Sequence, residues 1–111
     1  MVVFHDLRPA AELHLLIVPV EHIASVKTLQ KSDLDLMLRI KSKALQLLKV
    51  HGYDSKFRLG FHIPPYNTVD LLHLHVLGGE FKDPSRDRKY EEGRKWYMSL
   101  EQLLAKLEKA S

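Results

Sequence analysis

Apolar residues recur at helical spacing in one long segment of the chain. Ser32 is suited to cap a helix, and Asp33 and Asp35 would lie in the first turn, where the helix dipole favours negative charge. The apolar positions that follow with the period of an α-helix are Leu34, Met37, Leu38, Ile40, Ala44, Leu45, Leu47 and Leu48. His51-Gly52 closes the segment, because glycine readily takes the left-handed conformation just beyond a helix. The pattern predicts an amphipathic helix from Ser32 to His51.

Three shorter segments have the composition of β-strands. They run from Leu13 to Pro19, from Lys56 to Phe61 and from Val69 to Leu77, and Gly78-Gly79 is expected to end the last one. A capping box at Ser99–Gln102 precedes a short amphipathic helix with apolar positions at Leu100, Leu103, Leu104 and Leu107. Short strands with one long helix and a C-terminal helix favour an α+β fold with an antiparallel sheet. A parallel crossover through the long helix is the alternative topology.

The composition indicates a single domain over residues 1–111. The chain is 45% hydrophobic and 28% charged, contains no cysteine and has a formal net charge of +3. The absence of cysteine excludes disulfides, thiolate catalysis and cysteine-ligated zinc, and it favours an intracellular protein. We expect a cytoplasmic location, with the nucleus as the alternative, and no membrane partner. Residues 80–98 are rich in charge and are predicted to be a surface segment.

The segment Asp70–Leu77 carries two histidines at alternate positions. Alternate residues of a strand share one face of the sheet. The apolar face would hold Leu72, Leu74 and Val76. The opposite face would hold Leu71, His73, His75 and Leu77. Two imidazoles would therefore point into the same space, with Cβ atoms about 7 Å apart.

Spacing alone leaves three interpretations of this histidine pair. The pair could be two polar residues on the solvated face of a half-exposed strand. It could be part of a zinc site, for which His22, His62 or Asp6 would have to supply a third ligand. It could also perform covalent or acid–base catalysis, because imidazole titrates near neutral pH.

The residues around the pair resemble the histidine triad family. His73-Leu74-His75-Val76-Leu77 is similar to the end of the family motif, in which three histidines alternate with apolar residues. Phe4–Ala10, His14–Ile23 and Arg58–Pro65 resemble further segments of the Hint branch, which includes Hint-3-like and aprataxin-like members. The chain starts where the resemblance places the family's second strand, so we expect the usual N-terminal hairpin to be missing.

The resemblance implies catalytic roles for four residues. His73 matches the nucleophilic middle histidine, and His75 matches the last triad histidine, which contacts the phosphate. His22 matches an additional active-site histidine, and Thr68 stands where the family usually has a serine near the scissile phosphate. His14, beside a predicted strand, is expected to be structural.

Nucleotide-binding roles follow from the same resemblance. Asp6 matches the carboxylate that accepts from the ribose hydroxyls, and Phe4 and Leu7 match apolar residues around the base. His62 stands where other branches have asparagine. The chain departs from the family motif at its first triad position, which is Leu71. We expect this leucine to border the pocket.

The implied function is hydrolysis of a purine nucleoside 5′-phosphoramidate through a nucleotidyl-histidine intermediate. The enzyme would be a homodimer and would need no metal or cofactor. The first alternative is a catalytically weak nucleotide-binding or scaffold dimer, which Leu71 favours. The second is an aprataxin-like hydrolase of adenylated nucleic-acid ends. The absence of cysteine weakens this second alternative, because aprataxins carry a zinc module, so nucleic acid is the less favoured ligand.

Overall fold

A computed structural model describes residues 1–110 and contains one five-stranded sheet. The strands are β1 (Val2–His5), β2 (Ala11–Val18), β3 (Phe57–His62), β4 (Leu74–Phe81) and β5 (Tyr97–Ser99). Their order in the sheet is β1-β2-β4-β3-β5, and every neighbouring pair is antiparallel. The predicted α+β fold with an antiparallel sheet is therefore confirmed, and the parallel crossover is wrong.

Three helices accompany the sheet, namely α1 (Leu34–Val50), α2 (Pro84–Lys89) and α3 (Leu100–Lys109). The long helix begins slightly later than predicted, because Ser32 lies in a 3-10 turn and Asp33 holds the N-cap position. Gly52 has φ +82°, as expected of a residue that ends a helix in the left-handed conformation. The Ser99–Gln102 capping box is present at the start of α3. Within residues 1–110, none of the helices combines the length and apolar character needed to cross a membrane.

One face of the sheet packs against α1 and α3 and forms the main hydrophobic core. Residues directly opposite each other in an antiparallel pair point to the same face. Val76 of β4 lies opposite both Leu15 of β2 and Leu59 of β3, and all three are buried. The helices contribute the buried residues Leu36, Met37, Ile40, Ala44, Leu48, Leu100, Leu103, Leu104 and Leu107. The predicted apolar side of the histidine segment is confirmed, because Leu72, Leu74 and Val76 belong to this core.

The other face of the sheet is covered by the segment that follows β4. This segment was predicted as a charged surface segment, but it contains α2, which begins with Pro84 and is capped by the Asp83 side chain. It also buries two tyrosines in a second, smaller apolar cluster that consists of Ala10, Ala11, Leu77, Tyr90 and Tyr97. Most of the other residues between 82 and 95 lie at the surface, as their charge predicts. The same charged composition gave no indication that Tyr90 is buried.

The strand that carries His75 is displaced from its predicted position. It begins at Leu74, so His73 lies just before it, and it continues through Gly78-Gly79 to Phe81. The glycines allow close packing and do not end the strand. A Cβ atom at Gly78 would lie 2.7 Å from the Cβ of Tyr53, and Gly79 has φ +79°. The neighbouring strand β2 has a β-bulge between Ala11 and Leu13, where it pairs with the C-terminal end of β4.

Candidate functional site

A cavity of about 580 Å³ opens on the sheet face opposite α1 and α3. It contains nearly all the residues that the sequence singled out, namely Phe4, Asp6, Leu7, His62, Thr68, Leu71, His73 and His75. His22 is exposed and does not line this cavity. Another cavity, of about 670 Å³, lies beside α1 and β3 and has no histidine in its lining. The chemistry-bearing side chains therefore converge on the first cavity, which we call the histidine cavity.

His73 is held by the backbone of the residue that replaces the first triad histidine. Its Nδ1 lies 2.8 Å from the carbonyl oxygen of Leu71. A carbonyl oxygen can only accept, so Nδ1 carries the proton and Nε2 of the neutral ring keeps its lone pair. The ring centroid of His73 is 4.9 Å from that of His75, so the two imidazoles share the same space as predicted.

His14 and His75 form a directed pair of imidazoles. The backbone N–H of Ala10 donates to His14 Nδ1 at 3.0 Å, which leaves the proton of the neutral His14 ring on Nε2. That Nε2 donates to His75 Nδ1 at 2.9 Å. The proton of His75 is therefore on its Nε2, a buried atom that has no hydrogen-bond partner among residues 1–110. The chain of bonds sets the tautomers of both rings.

Burial keeps these histidines neutral. Desolvation lowers the pKa of His14 to about 4, although the Asp6 carboxylate, 3.4 Å from its Nε2, opposes the shift. Desolvation also lowers the pKa of His75 well below its usual value, with smaller contributions from the neighbouring histidines and Lys89 in the same direction. The pKa of His62 is lowered by burial, partly opposed by its hydrogen bond to the Lys89 carbonyl. At neutral pH His14, His62 and His75 are therefore uncharged imidazoles that can donate and accept hydrogen bonds.

The structure places His14, and not His22, within the histidine cluster. His14 was expected to be structural, and His22 was assigned the active-site role. Leu16 of β2 lies opposite His75, and His14 lies opposite Leu77, so the even-numbered residues of β2 face the cavity. His22 comes after β2 has ended and lies in an exposed segment. Alternation along Leu13–Ile17 was the signal that could have identified His14, because its neighbours Leu13 and Leu15 face the core.

Tyr90 is a further residue of the site that the sequence did not reveal. Its ring contacts three imidazoles, with centroid distances of 5.4 Å to His14, 4.8 Å to His62 and 5.0 Å to His75. Burial, with a contribution from Asp6, raises its pKa to about 12, so its hydroxyl stays protonated. The only local signal was that Tyr90 is the single aromatic residue between 82 and 95, and this did not indicate which elements the ring would contact.

Arg58 fixes the segment that carries Tyr90. Its guanidinium donates to the carbonyl oxygens of Asp87 and Tyr90 at 3.0 and 3.2 Å, and to the Asp87 carboxylate at 2.6 Å. His62 lies four residues after Arg58 on β3, and its Nε2 donates to the Lys89 carbonyl at 3.1 Å. These bonds hold the end of α2 over the cavity.

At the end of the histidine cavity next to β1, the Asp6 carboxylate lies near the apolar side chains of Phe4 and Leu7. Oδ1 of Asp6 accepts from the backbone N–H of Arg8 at 2.8 Å, and the side chain is 20% exposed. Phe4 is partly exposed, and Leu7 is 98% exposed. Leu71 is half-buried and lines the cavity beside His73, which confirms its expected position. The site thus combines an acceptor for hydroxyl groups with an apolar surface that could contact a ring.

Asp6, His14 and His75 also have the atom types of a metal site. One potential ligand atom from each lies within 4.8 Å of the other two. Nitrogens bound to one tetrahedral zinc at about 2.0–2.1 Å would be about 3.3 Å apart. The 2.9 Å separation of His14 Nε2 and His75 Nδ1 instead corresponds to a hydrogen bond between the rings.

Comparison with known proteins gives a coherent set of similarities. Residues 1–91 match the family model described as "Scavenger mRNA decapping enzyme C-term binding". The Arabidopsis thaliana protein named bifunctional adenosine 5′-phosphosulfate phosphorylase/adenylylsulfatase HINT4 is 46% identical over 79 residues, which are 69% of this chain and 54% of that protein. The Mus musculus protein named adenosine 5′-monophosphoramidase HINT3 is 34% identical over 113 residues, which are 98% of this chain and 68% of that protein.

A solved structure supports the same similarity. The HIT family hydrolase from Legionella pneumophila superposes with a TM-score of 0.69 and 33% sequence identity, over 76% of this chain and 78% of that one. The present chain spans about half the length of the Arabidopsis relative and about two thirds of the mouse relative.

Proposed function

Because this chain belongs to the histidine triad superfamily, as a Hint- and aprataxin-like member, we propose that it hydrolyses purine nucleoside 5′-phosphoramidates of the adenosine type. The proposed enzyme forms a nucleotidyl intermediate on His73 and uses His75 and Thr68 at the phosphate. The observation that carries the proposal is the bond from His73 Nδ1 to the Leu71 carbonyl. It leaves the Nε2 lone pair available for attack on phosphorus.

The proposed reaction has two displacements at phosphorus. In the first, His73 Nε2 forms a bond to phosphorus while the P–N bond to the leaving amine breaks, and the amine nitrogen takes the electron pair and a proton from solvent. In the second, a water oxygen attacks the same phosphorus, the bond to His73 breaks with its electron pair returning to Nε2, and the attacking water releases a proton to solvent. The products are the amine, a nucleoside monophosphate and the restored imidazole. Holding the nucleophile in place favours both steps because the reactants need not find each other in solution.

His75 and His14 support the charge that develops on the phosphate. An N–H on His75 Nε2 is a donor without a protein partner among residues 1–110, and a phosphate oxygen is a suitable acceptor. His14 keeps that proton on Nε2 by donating to Nδ1 of the same ring. An unsatisfied buried N–H costs about 1–3 kcal/mol, so a ligand that accepts from it gains a comparable stabilisation.

The nucleoside is proposed to lie over the β1 end of the cavity. The Asp6 carboxylate would accept hydrogen bonds from the ribose hydroxyls, and Phe4 and Leu7 would contact the base. We include a homodimer in the proposal. Exposed apolar residues on α1 and β3, namely Leu38, Leu45, Val50 and Phe57, support it. Sedimentation of the purified chain at micromolar concentration would show whether the dimer forms.

The proposal is tested by trapping the intermediate. The protein is mixed with a fluorogenic adenosine 5′-phosphoramidate, quenched in alkaline denaturant and digested for mass spectrometry. An adenylyl group on His73 is the expected result, and His73→Ala should abolish turnover. The matched control is His51→Ala, because His51 is exposed at the C-terminal end of α1 and does not line the cavity. Equal turnover by His73→Ala and the parent would contradict the proposed function.

The second candidate function is a nucleotide-binding or scaffold protein with weak activity. The observation that favours it is Leu71, because its side chain lines the cavity but can neither donate nor accept a hydrogen bond. The same trapping experiment separates the candidates. Tight binding of adenosine monophosphate without an adduct or turnover would favour this second function.

A further inference from the structure

The order of the strands separates the two ends of the histidine cavity. Phe4 and Asp6 lie on or just beyond β1 at one edge of the sheet, and His14 and His75 lie on the two following strands. His62, on β3, lies on the side away from β1. If the nucleoside occupies the β1 end and the phosphate lies at His73 and His75, the leaving group is directed towards β3, β5 and α2.

A second cleft begins where that leaving group would emerge. It has a volume of about 350 Å³ and is lined by His62, Tyr66, Ser85, Arg88, Lys89 and Trp96. His62, Tyr66 and Lys89 also line the histidine cavity, so the two spaces are adjacent and meet at these side chains. The ring centroid of His62 is 5.0 Å from that of His75, which places the cleft one side chain away from the phosphate-binding histidines.

The cleft is positively charged because two of its cations have no acidic partner. Neighbouring basic residues are paired, with Arg86 bound to Asp83 and Arg94 to Glu91. Arg88 and Lys89 form no ion pair among residues 1–110. An anion that entered the cleft would therefore meet uncompensated charge.

The side chains that line the cleft are mainly hydrogen-bond donors or aromatic rings. Arg88 and Lys89 can only donate, Ser85 offers a hydroxyl, and the Trp96 ring carries an indole N–H that is buried without a partner among residues 1–110. The bonds from Arg58 and His62 to the end of α2 hold this donor set in place. A preorganised set of donors is suited to bind oxygen atoms that carry negative charge.

We propose that this cleft is a leaving-group subsite that binds an oxyanion, so that preferred substrates are nucleoside 5′-phosphate adducts whose leaving group carries a phosphonate, sulfonate or carboxylate. The inference rests on the proposed function for its assignment to a leaving group. Arg88 is the specificity-determining residue, because it lines the cleft and does not line the histidine cavity. The ammonium of Lys89 contributes to the same field but also faces the histidines.

The experiment compares two substrates that break the same bond. They are the adenosine 5′-phosphoramidates of 2-aminoethylphosphonate and of n-propylamine, which differ in the charge of the leaving amine. We expect the parent to prefer the phosphonate substrate in kcat/KM. Arg88→Gln should lower this preference about fivefold, which corresponds to one partly exposed charge pair. Arg88→Lys should restore most of it, and Arg86→Gln, on the same helix but outside the cleft, should match the parent.

A binding measurement makes the inference independent of turnover. The two conjugates are titrated calorimetrically into His73→Ala and into the double variant that also carries Arg88→Gln. Tighter binding of the phosphonate conjugate to the first variant, and loss of that difference in the second, is the expected result. If the parent turns over neither substrate but this difference is present, the proposed function fails, and the cleft stands as an oxyanion site without its assignment to a leaving group.

Two results would overturn the subsite. The first is a substrate preference or binding difference that Arg88→Gln leaves unchanged. The second concerns the other source of an oxyanion, which is free inorganic phosphate. Addition of millimolar phosphate should inhibit only the phosphonate substrate. Equal inhibition of both substrates would mean that phosphate does not compete at the cleft, which contradicts the subsite.

Discussion

His14 Nε2 lies 2.9 Å from His75 Nδ1, and this hydrogen bond links neighbouring strands through two side chains that are 61 residues apart in the sequence. The Ala10 N–H on Nδ1 of His14 gives the bond a direction, because it leaves only Nε2 to donate. Neither ring needs a charge to satisfy this arrangement. His14 is therefore a positioning residue that determines which nitrogen of His75 carries the proton.

The first prediction separates His14 from His22. His14→Leu should lower kcat for the phosphoramidate about ten- to hundredfold, because leucine has no donor and His75 loses the hydrogen bond that fixes its tautomer. His22→Ala should stay near the parent value, since His22 does not line the cavity. Steady-state kinetics with thermal melts as the folding control would check both. A larger loss of kcat in His22→Ala than in His14→Leu would restore the role that the resemblance assigned to His22.

The second prediction concerns ribose recognition. Asp6 should favour nucleotides with free 2′ and 3′ hydroxyls over the dideoxy analogue by roughly ten- to hundredfold, because hydrogen bonds to a charged acceptor contribute about 1.5–3 kcal/mol. Asp6→Ala should reduce the ratio of the two dissociation constants towards one. Calorimetric titration of both analogues gives this ratio. Unchanged discrimination in the variant would show that Asp6 does not bind the ribose.

The third prediction concerns the missing triad histidine. Leu71→His should raise kcat by about five- to tenfold and change nucleotide affinity much less, because an added donor near the phosphate acts mainly as charge develops. The nucleophile does not need this side chain for its orientation, since the Leu71 carbonyl already accepts from His73. Leu71→Met is the control of similar size. A folded Leu71→His variant no faster than the parent would mean that this position does not limit catalysis.

The fourth prediction is a loss of stability in mild acid. The pKa of His14 is lowered from 6.5 to about 4 in the folded protein, so the unfolded chain binds its proton first as the pH falls. The stabilisation is complete above pH 6.5 and declines between pH 6.5 and about 4, by up to about 1.4 kcal/mol per pH unit for one such group. His75, whose pKa is also lowered, acts in the same direction.

Urea unfolding at pH 7 and pH 5 measures this effect. The midpoint should fall at pH 5 in the parent and in His51→Ala, because His51 is exposed. His14→Gln should show a smaller difference between the two pH values. A midpoint that rises on acidification, or the same difference in parent and His14→Gln, would contradict the assignment of a buried, neutral His14.

The sequence by itself determined the elements whose signals are local. The helical repeat of α1 and the capping box of α3 depend on residues within a few positions of each other, and both elements formed nearly where predicted. The alternation of Leu72, Leu74 and Val76 similarly identified the core side of the histidine segment. The resemblance to the histidine triad family added the prediction of which residues would form the site, and all of these except His22 line the histidine cavity.

Only the tertiary structure decided which distant side chains meet. The register that places Leu16 opposite His75 brings His14 into the cluster, and no pattern within β2 or β4 alone specifies that register. The positions of Tyr90 and of the cleft beside α2 depend on Arg58, which holds the end of α2 against the sheet. Arg58 does so through the carbonyl oxygens of Asp87 and Tyr90, which are 29 and 32 residues further along the chain. Local patterns determine which face of an element is apolar, whereas contacts between elements depend on packing across the whole fold. The histidine tautomers and the positive charge of the cleft proposed as a leaving-group subsite therefore arise only once the sheet is assembled.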